Sequence, residues 1–84
     1  VSYTLTIEGL IDPTTHATLQ DAVDALAKTL RRTPVNPDRL SAYLWMITAE
    51  GALERVRDFM KRDGEFRLRF ASRGTRYVAV IRQN

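Results

Sequence analysis

Residues 36–64 read NPDRLSAYLWMITAEGALERVRDFMKRDG, and whether this stretch is helix or strand decides the fold. By propensity, Tyr43 to Thr48 suits a buried strand. Spacing points the other way: Ala42, Trp45/Met46, Ala49, Ala52/Leu53, Val56 and Phe59/Met60 recur every three or four residues. Asn36-Pro37-Asp38 supplies a capping residue followed by a proline at the first helical position, and Lys61-Arg62-Asp63-Gly64 supplies a stop. The spacing therefore predicts helix. Its length raises a difficulty, because about 26 helical residues span roughly 39 Å. A compact domain of this size is only about 30 Å across, with a radius of gyration near 12 Å. The helix should bend or break near Gly51, or project onto another chain.

Upstream, residues 2–8 alternate Tyr3, Leu5 and Ile7 with Ser2, Thr4, Thr6 and Glu8, the period-two pattern of a half-buried strand. Residues 9–13 break it. Asp12-Pro13 can start a helix, and Thr18 with Asp21 three residues on offers a second start. Leu19, Val23, Leu26, Ala27 and Leu30 then share one face, with Arg31 and Arg32 at the negative end of the dipole. We expect a helix over about 15–32. Pro34 and Pro37 make the next segment a linker.

Downstream, Phe66, Leu68 and Phe70 alternate with Glu65, Arg67 and Arg69, and residues 71–74 are turn material. The return strand, 75–83, puts Tyr77, Ala79 and Ile81 on one face and Val78 and Val80 on the other. A strand apolar on both faces is normally covered on both. The expected fold is one α+β domain over residues 1–84, ordered β-α-α-β-β, with a small antiparallel sheet and two helices on one face. The alternative is β-α-β-α-β-β, with a strand at about 42–48.

Composition narrows the class of function. The chain has 84 residues, 44% of them hydrophobic, and no Cys. It therefore has neither disulfides nor thiolate chemistry. The longest apolar run, residues 42–47, is far short of a membrane span, and residues 1–10 lack a signal-peptide layout. A soluble cytoplasmic protein with no membrane partner is expected.

Catalytic signatures are thin. His16 is the only His and sits among threonines near a helix start, where it decorates a cap. Glu50, Glu54 and Asp58 interleave with arginines, so that Asp58–Arg62 and Glu54–Arg57 read as surface helix pairs. Neither a metal-ligand cluster nor a phosphate loop is present in the sequence. We expect no enzyme, no cofactor, no metal and no small-molecule substrate.

Charge is the informative feature. Residues 55–84 carry nine Arg/Lys against three carboxylates, a net +6, whereas residues 1–54 carry four against seven, a net −3. A one-sided positive field attracts anions. Arg67, Arg69, Arg73, Arg76 and Arg82, with Tyr77 available to stack on a base, form the candidate anion-binding hairpin. The competing account is solubilising charge on an exposed sheet edge. Trp45, Met46, Val78 and Val80 are candidates for self-association, as aromatic and Met residues favour such contacts.

The order strand, two helices, then a Phe/Tyr- and Arg-bearing hairpin at residues 66–81 loosely resembles bacterial RelE/ParE-type toxins. That resemblance implies a ribonuclease-type toxin, although the further strand that usually completes their sheet has no residues left to form it. The expectation from the residues themselves is a non-catalytic, dimeric binding module with a basic C-terminal helix-hairpin surface for an anionic partner, either an acidic protein or a nucleic acid.

Overall fold

The alternating segment at the start is a strand, β1 (Tyr3–Ile7), but the chain beyond Gly9 forms a second strand rather than a helix. In the computed structural model, which describes all of residues 1–84, β2 (Ile11–His16) folds back antiparallel on β1, with a register shift between Leu5 and Ile7. Pro13 lacks a ladder donor, and proline in a sheet is confined to edges and irregular positions. β2 is such an edge. The Asp12-Pro13 helix start expected from sequence is thus overturned, and helix α1 begins at the second start, running Leu19–Arg32. Its Thr18 cap accepts a 3.1 Å hydrogen bond from the Asp21 backbone N–H.

The stretch 36–64 is helical and broken. Asn36 caps α2 (Pro37–Thr48), its side-chain oxygen accepting from the backbone of Asp38 and Arg39. Residues 42–48 form no strand. Gly51, at φ 78°, breaks the path before α3 (Ala52–Asp63). An L-residue pays roughly 1–2 kcal/mol for that left-handed backbone, whereas glycine does not. The break keeps the molecule within 34 × 28 × 20 Å, with a radius of gyration of 12.0 Å.

The break also changes which residues of α2 point inward. The sequence stripe through Ala42, Trp45 and Met46 is the exposed side, and the core side is Leu40, Tyr43, Leu44 and Ile47. In α3 the stripe holds, with Ala52 and Val56 buried. The break falls at Gly51, as the length of the stretch requires, and it resets the helical phase between α2 and α3.

The hairpin of β3 (Glu65–Ser72) and β4 (Thr75–Gln83) completes an antiparallel sheet ordered β2-β1-β4-β3. The fourth strand therefore comes from residues 11–16, a segment expected to be turn and helix start. All three helices lie on one face. Leu5, Ile7, Phe66, Leu68, Phe70, Ala79 and Ile81 meet α1 residues Leu19, Val23, Leu26 and Leu30. Truncating Leu5 or Ile81 to Ala costs about 2–5 kcal/mol. Ser72 is the one buried polar residue, and its hydroxyl donates a 2.6 Å hydrogen bond to the Pro34 carbonyl, tying the hairpin end to the α1–α2 linker. No helix is long and apolar enough to cross a membrane.

Candidate functional site

Strand side chains alternate, so seating the Phe66 and Ile81 rows on the helices turns their neighbours outward. The cross-strand register places Glu65 opposite Arg82, Arg67 opposite Val80, Arg69 opposite Val78 and Ala71 opposite Arg76. On the other side of β4, Thr4 stands opposite Arg82 and Thr6 opposite Val80. These residues make up a sheet face that no element of the chain covers. Val78 is 39% exposed at its centre and Val80 is half-buried. The hollow at its middle, about 450 Å³, is lined by Thr6, Glu8, Arg76, Val78, Val80 and Arg82, with Tyr77.

Four of the five sequence-predicted arginines, Arg67, Arg69, Arg76 and Arg82, therefore share this face, and Arg73 lies at the hairpin tip. They are not equivalent. Glu65 accepts from Arg82 Nε at 3.0 Å and also from Arg67 Nε. The Arg67 hydrogen bond is the main force holding the Glu65 carboxyl below the usual carboxylate range; partial desolvation opposes it, and the Arg82 bond and both positive charges assist. Arg69, Arg73 and Arg76 take part in no ion pair, and residues 66–84 contain no carboxylate. The uncompensated charge thus gathers at the hairpin end.

Tyr77 lies outside this group. It turns to the helix side, stacking on Phe70 with ring centroids 5.6 Å apart, and Tyr43 meets Phe70 edge-on at 6.5 Å. Tyr77 is half-buried on the side that period-two alternation gives it, with Arg76 and Val78 turned outward, and it still lines the hollows beside them. Arg39, in the first turn of α2, is a cation the sequence did not single out. It lines a shallow hollow at the hairpin end with Tyr43, Arg69 and Arg76. No local pattern flagged it, since α2 reaches the hairpin only through tertiary packing.

The sequence polarity also divides in space. Arg55, Arg57, Lys61 and Arg62 belong to α3, in the helix layer. Residues 17–64, which contain all three helices, carry eight cations against seven carboxylates, nearly neutral. The two sheet segments, 1–16 and 65–84, carry five against three. The expected joint helix-hairpin basic surface is therefore a basic sheet face beside a mixed-charge helix layer.

That helix layer has a separate apolar patch. Trp45 is 61% exposed, with Met46 and Phe59 also exposed, and the Arg55 guanidinium lies 5.0 Å from the Trp45 ring centre. Met46, Arg55, Val56, Phe59 and Phe66 line a small notch between α2 and α3. Trp45 and Met46 thus stand apart from Val78 and Val80, which occupy the opposite side of the molecule.

His16 ends β2 opposite Tyr3, within 2.8 Å of the Thr14 hydroxyl, rather than at a helix cap. The expected Asp58–Arg62 and Glu54–Arg57 pairs are absent; Arg62 instead meets Asp63 at 3.3 Å and covers the Phe59 ring. No three His, Cys, Asp or Glu residues converge as metal ligands. Compared with protein-family models, curated proteins and solved structures, the chain matches none at a significant level.

Proposed function

We propose that the protein is a non-catalytic cytoplasmic binding module that takes an anionic partner on the open face of its sheet. One observation carries this reading. Four arginines share an uncovered face with Glu8 and Glu65, and the three cations at the hairpin end, Arg69, Arg73 and Arg76, form no ion pair. Guanidinium forks suit phosphate and carboxylate oxygens alike. Val78 and Val80 add apolar contact between them. Retention on immobilised heparin tests the idea. Arg69→Glu/Arg76→Glu should elute at markedly lower salt than Lys28→Glu/Arg57→Glu, which removes the same charge from exposed helix positions. Equal elution of the two variants would refute the face and leave only net charge.

A second reading is favoured by the Trp45-Met46-Phe59 patch, namely pairing with a second copy of this chain. The Arg55 and Arg62 guanidiniums lie over Trp45 and Phe59, and α3 carries Glu54 and Asp58 as well, so that the mixed charge of this helix with the apolar patch suits the self-complementary contact of a two-fold dimer. These three side chains offer roughly 300 Å² per copy, below the ~800 Å² of a standard interface, so the dimer is a weak one. Sedimentation from 10 to 500 µM (concentrations on the order of a weak Kd) should show a rising mass, and a constant monomer mass would refute it.

A further inference from the structure

Resting on the anionic-partner reading of the open face, we propose that the partner is duplex DNA, entered at its major groove by the outward face of the β3–β4 hairpin end. Shape is the first ground. β1 pairs with β4 only from Ala79 to Gln83, so within the sheet the hairpin beyond Ala79 is two strands wide, backed on its inner side by α2 and offering its outer side alone. Paired strands lie about 4.8 Å apart, and the B-DNA major groove, about 12 Å wide, admits a two-stranded ribbon.

The order of side chains on that ribbon is the second. Arg69 faces Val78 and Ala71 faces Arg76, so the cations occupy one diagonal and the small apolar residues the other. Diagonal neighbours of this kind stand about 7–8 Å apart. Each guanidinium can grip guanine O6 and N7 bidentately, while Ala71 and Val78 suit thymine methyl groups. Neither arginine must leave an ion pair to do so. Arg73 at the tip, with Arg67 and Arg82 behind, is placed for phosphates.

Other nucleic acids fit this face less well. Single strands are held largely by free rings on which bases stack; the rings that border this face, Tyr77 with Phe70 and Tyr43, are already packed on one another. A-form RNA has a major groove too narrow and deep for side chains to read.

Fluorescence anisotropy with 20-base-pair duplex DNA, the matching single strand and the matching duplex RNA, at 50 and 200 mM salt, decides the matter (lengths and concentrations chosen on the order of those where counterion release is resolved). Duplex DNA should bind at least about tenfold tighter than either alternative. Three phosphate cations, Arg67, Arg73 and Arg82, give a log–log salt slope near −2 to −3, a loss of about fortyfold between the two salts. Arg69→Ala/Arg76→Ala should weaken duplex binding by about tenfold or more and abolish the duplex preference with little change in slope, and Lys28→Glu/Arg57→Glu should keep that preference. Methyl green, a major-groove ligand, should compete where the minor-groove ligand netropsin does not. Equal binding to all three nucleic acids, or competition by netropsin alone, overturns the groove proposal and leaves the anionic-partner reading standing. Heparin retention that depends on Arg69 and Arg76 without DNA binding also overturns it and turns the search to an acidic protein. Loss of both overturns the two readings together.

Discussion

Glu65 and Arg82 stand opposite one another on neighbouring strands, and the carboxylate bridges them at 3.0 Å while its other oxygen holds Arg67. One acidic side chain thereby restrains two of the four cations on the open face. Glu65→Gln should therefore raise anion affinity by several-fold and steepen the salt slope by up to about one. An unchanged slope would show that Arg67 and Arg82 do not reach the partner.

The same pairing sets a pH dependence. The Glu65 carboxyl titrates below its unfolded counterpart, chiefly through Arg67. Its share of stability is then complete above the ordinary Glu value, about 4.3, and is lost as pH falls through the lower folded value. Carbon NMR of the Glu65 carboxyl should give a midpoint below that of a glutamate in an unstructured peptide, about 4.3. A midpoint at or above that value would contradict the bridge.

Gly51→Ala tests the break between α2 and α3. A Cβ at this position meets nothing within 4 Å, so the entire cost is the backbone at φ 78°. Stability to denaturant should fall by about 1–2 kcal/mol with no gain in helicity. A rise in helical content would instead mean that the two helices had fused.

Arg73 occupies the first position of a two-residue turn at φ 51°, followed by Gly74 at φ 79°, geometry that asparagine tolerates better than arginine. Arg73→Asn should stabilise the fold by up to about 1 kcal/mol while weakening anion binding. A variant neither more stable nor weaker in binding would show that neither the turn strain nor the tip charge matters.

Trp45→Ser/Met46→Ser separates core from contact surface. Both side chains are more than 40% exposed, so stability should change within about 0.5 kcal/mol, as at other surface sites. Concentration-dependent sedimentation should vanish. A loss of several kcal/mol would mean that the patch belongs to the fold.

Much of the fold was legible because its signals are local. The Tyr3–Ile7 alternation, the Thr18 and Asn36 caps and the Phe66/Leu68/Phe70 row each depend on a few adjacent residues. β2 was not legible: Asp12-Pro13 has the chemistry of a helix start, and only edge placement beside β1 makes it strand. Which side of α2 faces inward was not legible, because that helix is apolar on several sides: Leu40, Tyr43, Leu44 and Ile47 pack on the core and leave Trp45 and Met46 exposed. The arginine face followed from alternation alone. Its division into Glu65-bound and unpaired cations did not, since Arg82 meets Glu65 only across the hairpin, and Arg39 comes near only through the packing of α2.

The most direct test of binding at the open face is a ¹H–¹⁵N NMR titration of the intact chain with a short heparin oligosaccharide. Amide shifts should concentrate at residues 67–71 and 76–82, with smaller changes at Thr4 and Thr6, and spare the exposed side of α1. Shifts confined to Arg57 and Lys61 on α3, or no shifts at all at low salt, would contradict it.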